Sequence, residues 1–112
     1  MFVLSEKDIE LISISGIKLE QINEIELACV IYKIGIGYGD TVCMNRYADI
    51  LIDSKDDIDQ LTAVNLYNKS CDLGSSVGCS NLALYYKLKN DLIRYDIYMD
   101  KAKSFGDPWE NQ

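Results

Sequence analysis

The chain has 112 residues and no histidine, and its 18 acidic side chains outnumber 11 basic ones to give a net charge of −7. Such a charge repels a phosphate backbone, which argues against nucleic-acid binding. No apolar run approaches the ~20 residues that span a bilayer, and the acidic start lacks the basic segment of a signal peptide. We therefore expect a cytoplasmic protein that binds neither nucleic acid nor membrane.

Apolar residues recur at helical spacing along most of the chain. At the start, either Ser5 caps a short helix over residues 6–13 or residues 2–4 are extended, and the helix is favoured. Five further helices follow from about Leu19 onward. In the first of these helices, one buried face is predicted to contain Ile22, Ile25, Cys29 and Tyr32. In the third helix, Leu73 is predicted to be the last residue of the buried face.

The run KIGIGYGD (residues 33–40) resembles a phosphate-binding loop or a channel filter at first sight. A phosphate-binding loop needs a preceding strand and a filter needs flanking membrane helices, and neither pattern is present. Gly35, Gly37 and Gly39 therefore predict a helix end near Ile34 and a reversal of the chain, with Asp40 capping the next helix.

A repeat organises the rest of the chain. The segment LYNKSCDLGSSVGCSNLALYY (residues 66–86) has an echo 36 residues upstream and another 32 residues downstream. Within it, Gly74 ends one helix and Ser75 or Ser76 can cap the next. A period of this length made of two helices is typical of stacked helical hairpins. We predict an all-α fold, a short α-solenoid of about two and a half antiparallel helical hairpins.

The central segment resembles a Sel1-like repeat, a relative of the tetratricopeptide repeat. The family's alanine, aromatic residue, Lys-Ala-small segment, helix-ending glycine, small residue and Leu-Gly pair correspond to Ala63, Tyr67, Lys69-Ser70-Cys71, Gly74, Cys79 and Leu82-Ala83, where Ala83 replaces the glycine of the pair. The resemblance covers residues 63–86 well, residues 28–51 in part and residues 95–107 as a half repeat. It implies a surface that binds another protein and is lined by one helix of each pair.

This organisation implies three segments. Residues 1–18 are an N-terminal lead or short helix, residues 19–107 are the Sel1-like repeat solenoid, and residues 108–112 are a C-terminal tail.

The four cysteines do not have the spacing of a metal site. Cys29, Cys43, Cys71 and Cys79 are separated by 14, 28 and 8 residues, so we expect no zinc. In a reducing cytosol they are expected to be thiols. A secreted, cysteine-rich branch of the family joins a pair spaced like Cys71 and Cys79 by a disulfide. Because the chain shows no export signal, small buried thiols are the favoured interpretation.

Acidic residues are densest in DSKDDIDQ (residues 53–60), which is not a calcium loop because Ile58 and Val64 occupy its sixth and twelfth positions. Two interpretations stay open. The acids either favour the N-terminus of the next helix or form a negative patch for a basic protein. Without histidine no catalytic constellation can be assembled, so we expect no enzymatic activity and no cofactor.

A small, acidic protein of this fold class suits an immunity protein or antitoxin that binds and neutralises a cognate bacterial toxin with a basic surface. The alternative is a non-inhibitory scaffold or adaptor that recruits a signalling or assembly partner; the oligomeric state stays open. The tyrosines among the candidates are expected to be partly exposed. The predicted partner-binding residues are Asp49, Asp53, Asp56, Asp57, Asp59, Tyr85 and Tyr95.

Overall fold

The computed structural model describes residues 3–106, which contain six helices and no strand. The helices are α1 (Glu6–Gln21), α2 (Ile25–Gly37), α3 (Thr41–Ile52), α4 (Asp57–Asp72), α5 (Ser76–Leu88) and α6 (Leu92–Ser104). Helix α1 packs against α2, and α5 packs against both α4 and α6. The predicted all-α class and its packing as helical hairpins are confirmed. None of the helices within residues 3–106 is both long and apolar enough to cross a bilayer.

The chain divides into two compact units, Met1–Tyr47 and Ala48–Gln112, which are described separately. The predicted boundary between residues 18 and 19 falls inside α1. The predicted tail at 108–112 and the last residue of the predicted solenoid lie outside the described residues.

The N-terminal helix is longer than predicted. Ser5 caps it as expected: the Asp8 N–H donates to Ser5 Oγ and the Ser5 N–H donates to Asp8 Oδ2, both at 3.1 Å. The helix then continues to Gln21, and the left-handed Asn23 (φ 63°) separates it from α2. Ile22 therefore caps α1 and is 69% exposed, so its predicted place on a buried face is wrong. The apolar spacing happened to stay in phase across this turn.

Four helix pairs are joined by the same three-residue turn. Its central residue has a positive φ, and the N–H of the following residue donates to the carbonyl five positions earlier, which satisfies an otherwise unpaired carbonyl at the helix end. The central residues are Asn23, Gly39, Gly74 and Asn90. Only glycine and asparagine occur there because other side chains rarely adopt this conformation.

The turns also correct the repeat length. Gly74 and Gly106 are both left-handed and lie 32 residues apart, as predicted. Gly39 and Gly74 lie 35 residues apart, one fewer than the period of 36 predicted from identical residues in the two repeats. Ser75 is the cap that the sequence left undecided, and its Oγ accepts from the Gly78 N–H. Leu73 caps the end of α4 and is 56% exposed, so it is not part of the buried face.

The glycine-rich run has three roles. Helix α2 continues to Gly37 and does not end near Ile34. Gly35 is buried within it, where an added Cβ would overlap the Cys43 side chain, whereas nothing lies within 4 Å of a Cβ on Gly37. Only Gly39 reverses the chain, and Asp40 caps α3 as predicted by accepting from the Cys43 N–H at 2.9 Å.

The core of the first unit contains Ala28, Tyr32, Cys43 and Met44, all fully buried. Tyr32 is the largest of these, and its hydroxyl donates to the Glu20 carboxylate of α1. Gly16 lies so close to the Tyr32 ring that a Cβ there would overlap it. The glycine therefore lets α1 approach the tyrosine of α2.

The core of the second unit centres on Ala48, Ala63, Tyr67 and Leu82. A second cluster joins Ala102 of α6 to Cys71 and Cys79. These two cysteines form a disulfide between α4 and α5, with their Cα atoms 4.5 Å apart, so the expectation of thiols is wrong for this pair. Cys43, buried, and Cys29, half-buried, are free.

Candidate functional site

A surface groove in the second unit is the strongest candidate for a binding site. It lies between the C-terminal end of α3, α4 and α5, and it has two adjoining parts of about 180 and 190 Å³. Ile52, Tyr85 and Leu88 line both parts. The remaining lining residues are Tyr67, Asn81 and Leu84 in the first part and Gln60 and Lys89 in the second.

One face of α5 supplies most of the groove. Asn81, Leu84, Tyr85 and Leu88 follow the spacing i, i+3, i+4, i+7 that aligns side chains along a helix. Leu84 is 44% exposed and Leu88 is 87% exposed. Large apolar side chains exposed next to each other are typical of surfaces that bind a partner.

Two carboxylates act on a tyrosine that lines the first part of the groove. The Tyr67 side chain is almost fully buried, and its hydroxyl donates to Asp49 Oδ1 at 2.5 Å. Burial, this hydrogen bond and the charges of Asp49 and Asp53 hold the pKa of Tyr67 well above its usual value. The hydroxyl therefore stays protonated and keeps donating. Asp49 and Asp53 are exposed, four residues apart, and both act on the tyrosine that lines the groove.

The predicted acidic patch contains residues with two different roles. Asp56 caps α4 by accepting from the Ile58 N–H at 2.7 Å, and Asp59 accepts from Ser54 Oγ at 2.8 Å. These two carboxylates organise the connection between α3 and α4. Asp53 and Asp57 are exposed and stay candidates for binding. The helix-capping interpretation is confirmed for Asp56, and the negative patch for a basic protein stays a prediction.

The structure separates the two predicted tyrosines. Tyr85 is half-buried in the groove, with its ring edge-on to Tyr86 and Lys89 Nζ 5.7 Å from its centre. Tyr95 is half-buried on α6, where Lys87 Nζ lies 5.3 Å from its ring, and it does not line either part of the groove. The structure therefore places Tyr85 in the lining of the groove and leaves Tyr95 outside it.

Sequence reasoning missed the apolar side chains of the groove. Leu84 and Leu88 lie out of phase with the buried residues Cys79 and Leu82 of α5, which is a signal that they face outward. That signal does not identify Ile52, which comes from a different helix.

Within residues 3–106, no three histidine, cysteine, aspartate or glutamate side chains are grouped in a way that could hold a metal ion. Comparison of the chain with protein-family models, curated protein sequences and solved structures found no match.

Proposed function

We propose that the chain is a Sel1-like repeat protein that binds another protein, and that it acts as a small immunity protein or antitoxin against a cognate bacterial toxin. The observation that carries the proposal is the groove on α5, where exposed leucines share the lining with Tyr67, whose hydroxyl donates to Asp49 and lies within the field of Asp53. A site of this kind buries apolar side chains of a partner and attracts a positive charge next to them.

The charge of the chain supports a basic partner. A net charge of −7 accelerates encounter with a positive surface. Toxins that act on nucleic acids need such a surface, because they must bind phosphates. Carboxylates in place of phosphates can cover that surface and block it.

Co-expression tests the inhibitory function directly. The chain is expressed together with the toxin encoded beside its gene in the native genome, and cell survival is measured. We expect survival with the chain and death without it. Death in both cases would reject the immunity function, and a bound partner that keeps its activity would favour the scaffold.

Association kinetics test the acidic residues. Asp53→Asn with Asp57→Asn should lower the association rate by about tenfold at low salt and weaken its salt dependence. Asp96→Asn with Asp100→Asn removes the same charge from exposed positions of α6 and serves as the matched control. Equal effects of the two pairs would show that only net charge matters.

A further inference from the structure

We infer that the groove binds an amphipathic helix of the partner that carries two large apolar side chains one turn apart and a lysine or arginine beside one of them. This inference rests on the proposed function, because it specifies which segment of a protein partner the chain recognises.

The two parts of the groove set the number of apolar side chains. Each part is a depression open to solvent, with a volume of about 180 or 190 Å³, so each can receive one large side chain. Ile52, Tyr85 and Leu88 border both parts, so the two side chains must be neighbours on the partner. Residues three or four positions apart on a helix are such neighbours.

The surrounding helices favour a helical partner over an extended one. The wall from Asn81 to Leu88 covers two helical turns, roughly 10 Å. Residues 3–106 contain no strand, so an extended peptide finds no sheet edge there with which to pair. An apolar helix face laid into a groove between helices buries its side chains without unpaired backbone groups.

Charged groups near the two parts set where the partner's basic residue lies. The first part is lined by Tyr67, whose hydroxyl donates to Asp49 and lies within the field of Asp53. The second part is lined by Lys89. We therefore place the partner's basic residue next to the apolar side chain that fills the first part, and a neutral or acidic residue next to the second.

The same charges argue against a second copy of this chain as the occupant. Two chains with a net charge of −7 repel each other, and the carboxylates that act on Tyr67 would meet a predominantly acidic surface. A basic partner meets complementary charge there.

A peptide selection tests the inference without knowledge of the natural partner. The full chain is used to select from a random library of displayed peptides of about 15 residues, a length at which isolated helices begin to be stable. We expect the enriched peptides to share two apolar residues three or four positions apart and a lysine or arginine on one flank only.

Matched variants locate the binding surface. Leu88→Ser and Leu84→Ser should each weaken binding of a selected peptide by about tenfold. Leu88 is 87% exposed, so its substitution leaves the core intact. Ile93→Ser is the control, because Ile93 is 77% exposed on α6 and lies outside the groove. Asp53→Asn should weaken binding and its salt dependence, and Asp96→Asn should not.

Three results would overturn the inference: no enrichment, enriched peptides without the basic residue, or equal binding to the Leu88→Ser variant. The outcome is distinguishable from that of the proposed function. Peptide binding as described with no protection from the toxin would reject immunity and retain the groove. Protection that survives Leu88→Ser would retain immunity and reject the groove.

Discussion

The hairpins α2–α3 and α4–α5 have the same turn but differ in the residues at one tight contact between their helices. In α2–α3 this contact joins Gly35 to Cys43, where a Cβ on the glycine would overlap the sulfur. In α4–α5 it joins Ser70 to Gly78, where a Cβ on the glycine would lie 2.5 Å from Ser70 Oγ. Both pairs lie four residues before and four residues after the left-handed glycine of their turn.

The glycine of this contact thus lies on the first helix in α2–α3 and on the second helix in α4–α5. What the contact requires is one glycine and one small side chain, on either helix, because two Cβ-bearing residues would push the backbones apart. The hairpins also differ at the residues that directly follow each contact residue. Cys71 and Cys79 join α4 to α5, whereas Ile36 and Met44 occupy the corresponding positions of α2–α3.

Exchanging the contact residues should produce the largest effect. Gly35→Ser places a side chain against Cys43 and should lower the free energy of unfolding by about 3 kcal/mol. Adding Cys43→Gly recreates the arrangement of α4–α5 and should recover about 2 kcal/mol, less the intrinsic cost of glycine in a helix. Urea unfolding of both single variants and the double variant measures the coupling.

Gly37→Ser is the matched control for this exchange. Gly37 belongs to the same helix, but nothing lies within 4 Å of an added Cβ, so serine should be tolerated there. A loss at Gly37 equal to the loss at Gly35 would contradict the contact. Failure of the double variant to recover stability would contradict the exchange.

These glycines show the limit of the sequence as a predictor. The run KIGIGYGD correctly predicted a turn and the cap at Asp40. It could not distinguish Gly35, Gly37 and Gly39, because they repeat at the same interval among apolar residues. Their difference depends on what the following helix places against each one, which is a tertiary contact.

In the candidate site, too, local patterns predicted some features, whereas others depend on tertiary contacts. Helical periodicity predicted the buried face of α5, through Cys79 and Leu82. The action of Asp49 and Asp53 on Tyr67 joins one segment to another helix, which no local pattern specifies. The acidic cluster was visible in the sequence, but which of its members hydrogen-bond within the connection between α3 and α4 was not.

The disulfide is a second difference between the hairpins α4–α5 and α2–α3, and its removal should affect only α4–α5. It closes a short loop with a sequence separation of 8, so reduction should lower the free energy of unfolding by about 2.5 kcal/mol. Hydrogen exchange should become faster in α4–α5 and stay unchanged in α2–α3. Cys71→Ser with Cys79→Ser should reproduce the loss and remove the response to the reductant.

Alkylation of the denatured, unreduced protein checks the pairing independently. Labelling of Cys29 and Cys43 alone is expected, since these are the free cysteines within residues 3–106. Labelling of all four would contradict the disulfide. Disulfides persist mainly in oxidising compartments, so confirmation would argue against the predicted cytoplasmic location.

A smaller effect concerns pH: we expect the free energy of unfolding to be lower at alkaline than at neutral pH because of buried groups in both units. Each unit has a buried tyrosine whose hydroxyl donates to a carboxylate of another helix: Tyr32 to Glu20 and Tyr67 to Asp49. Burial, followed by the carboxylate, raises the pKa of both tyrosines well above the ordinary value. Burial and then Asp40 raise the pKa of Cys43 to about 12.

Raised pKa values in the folded state stabilise it below the unfolded values and lose that contribution as the pH rises toward the folded ones. Between neutral pH and about pH 8 the free energy of unfolding should therefore change little, and it should fall above about pH 8.5, where the thiol titrates in the unfolded chain. Tyr67→Phe and Tyr32→Phe should each remove about 1 kcal/mol at neutral pH and make the alkaline decline shallower. Tyr38→Phe, at an exposed side chain, is the control. Urea unfolding from neutral to alkaline pH measures the profile, and an equal change in all three variants would show that burial beside a carboxylate is not the cause.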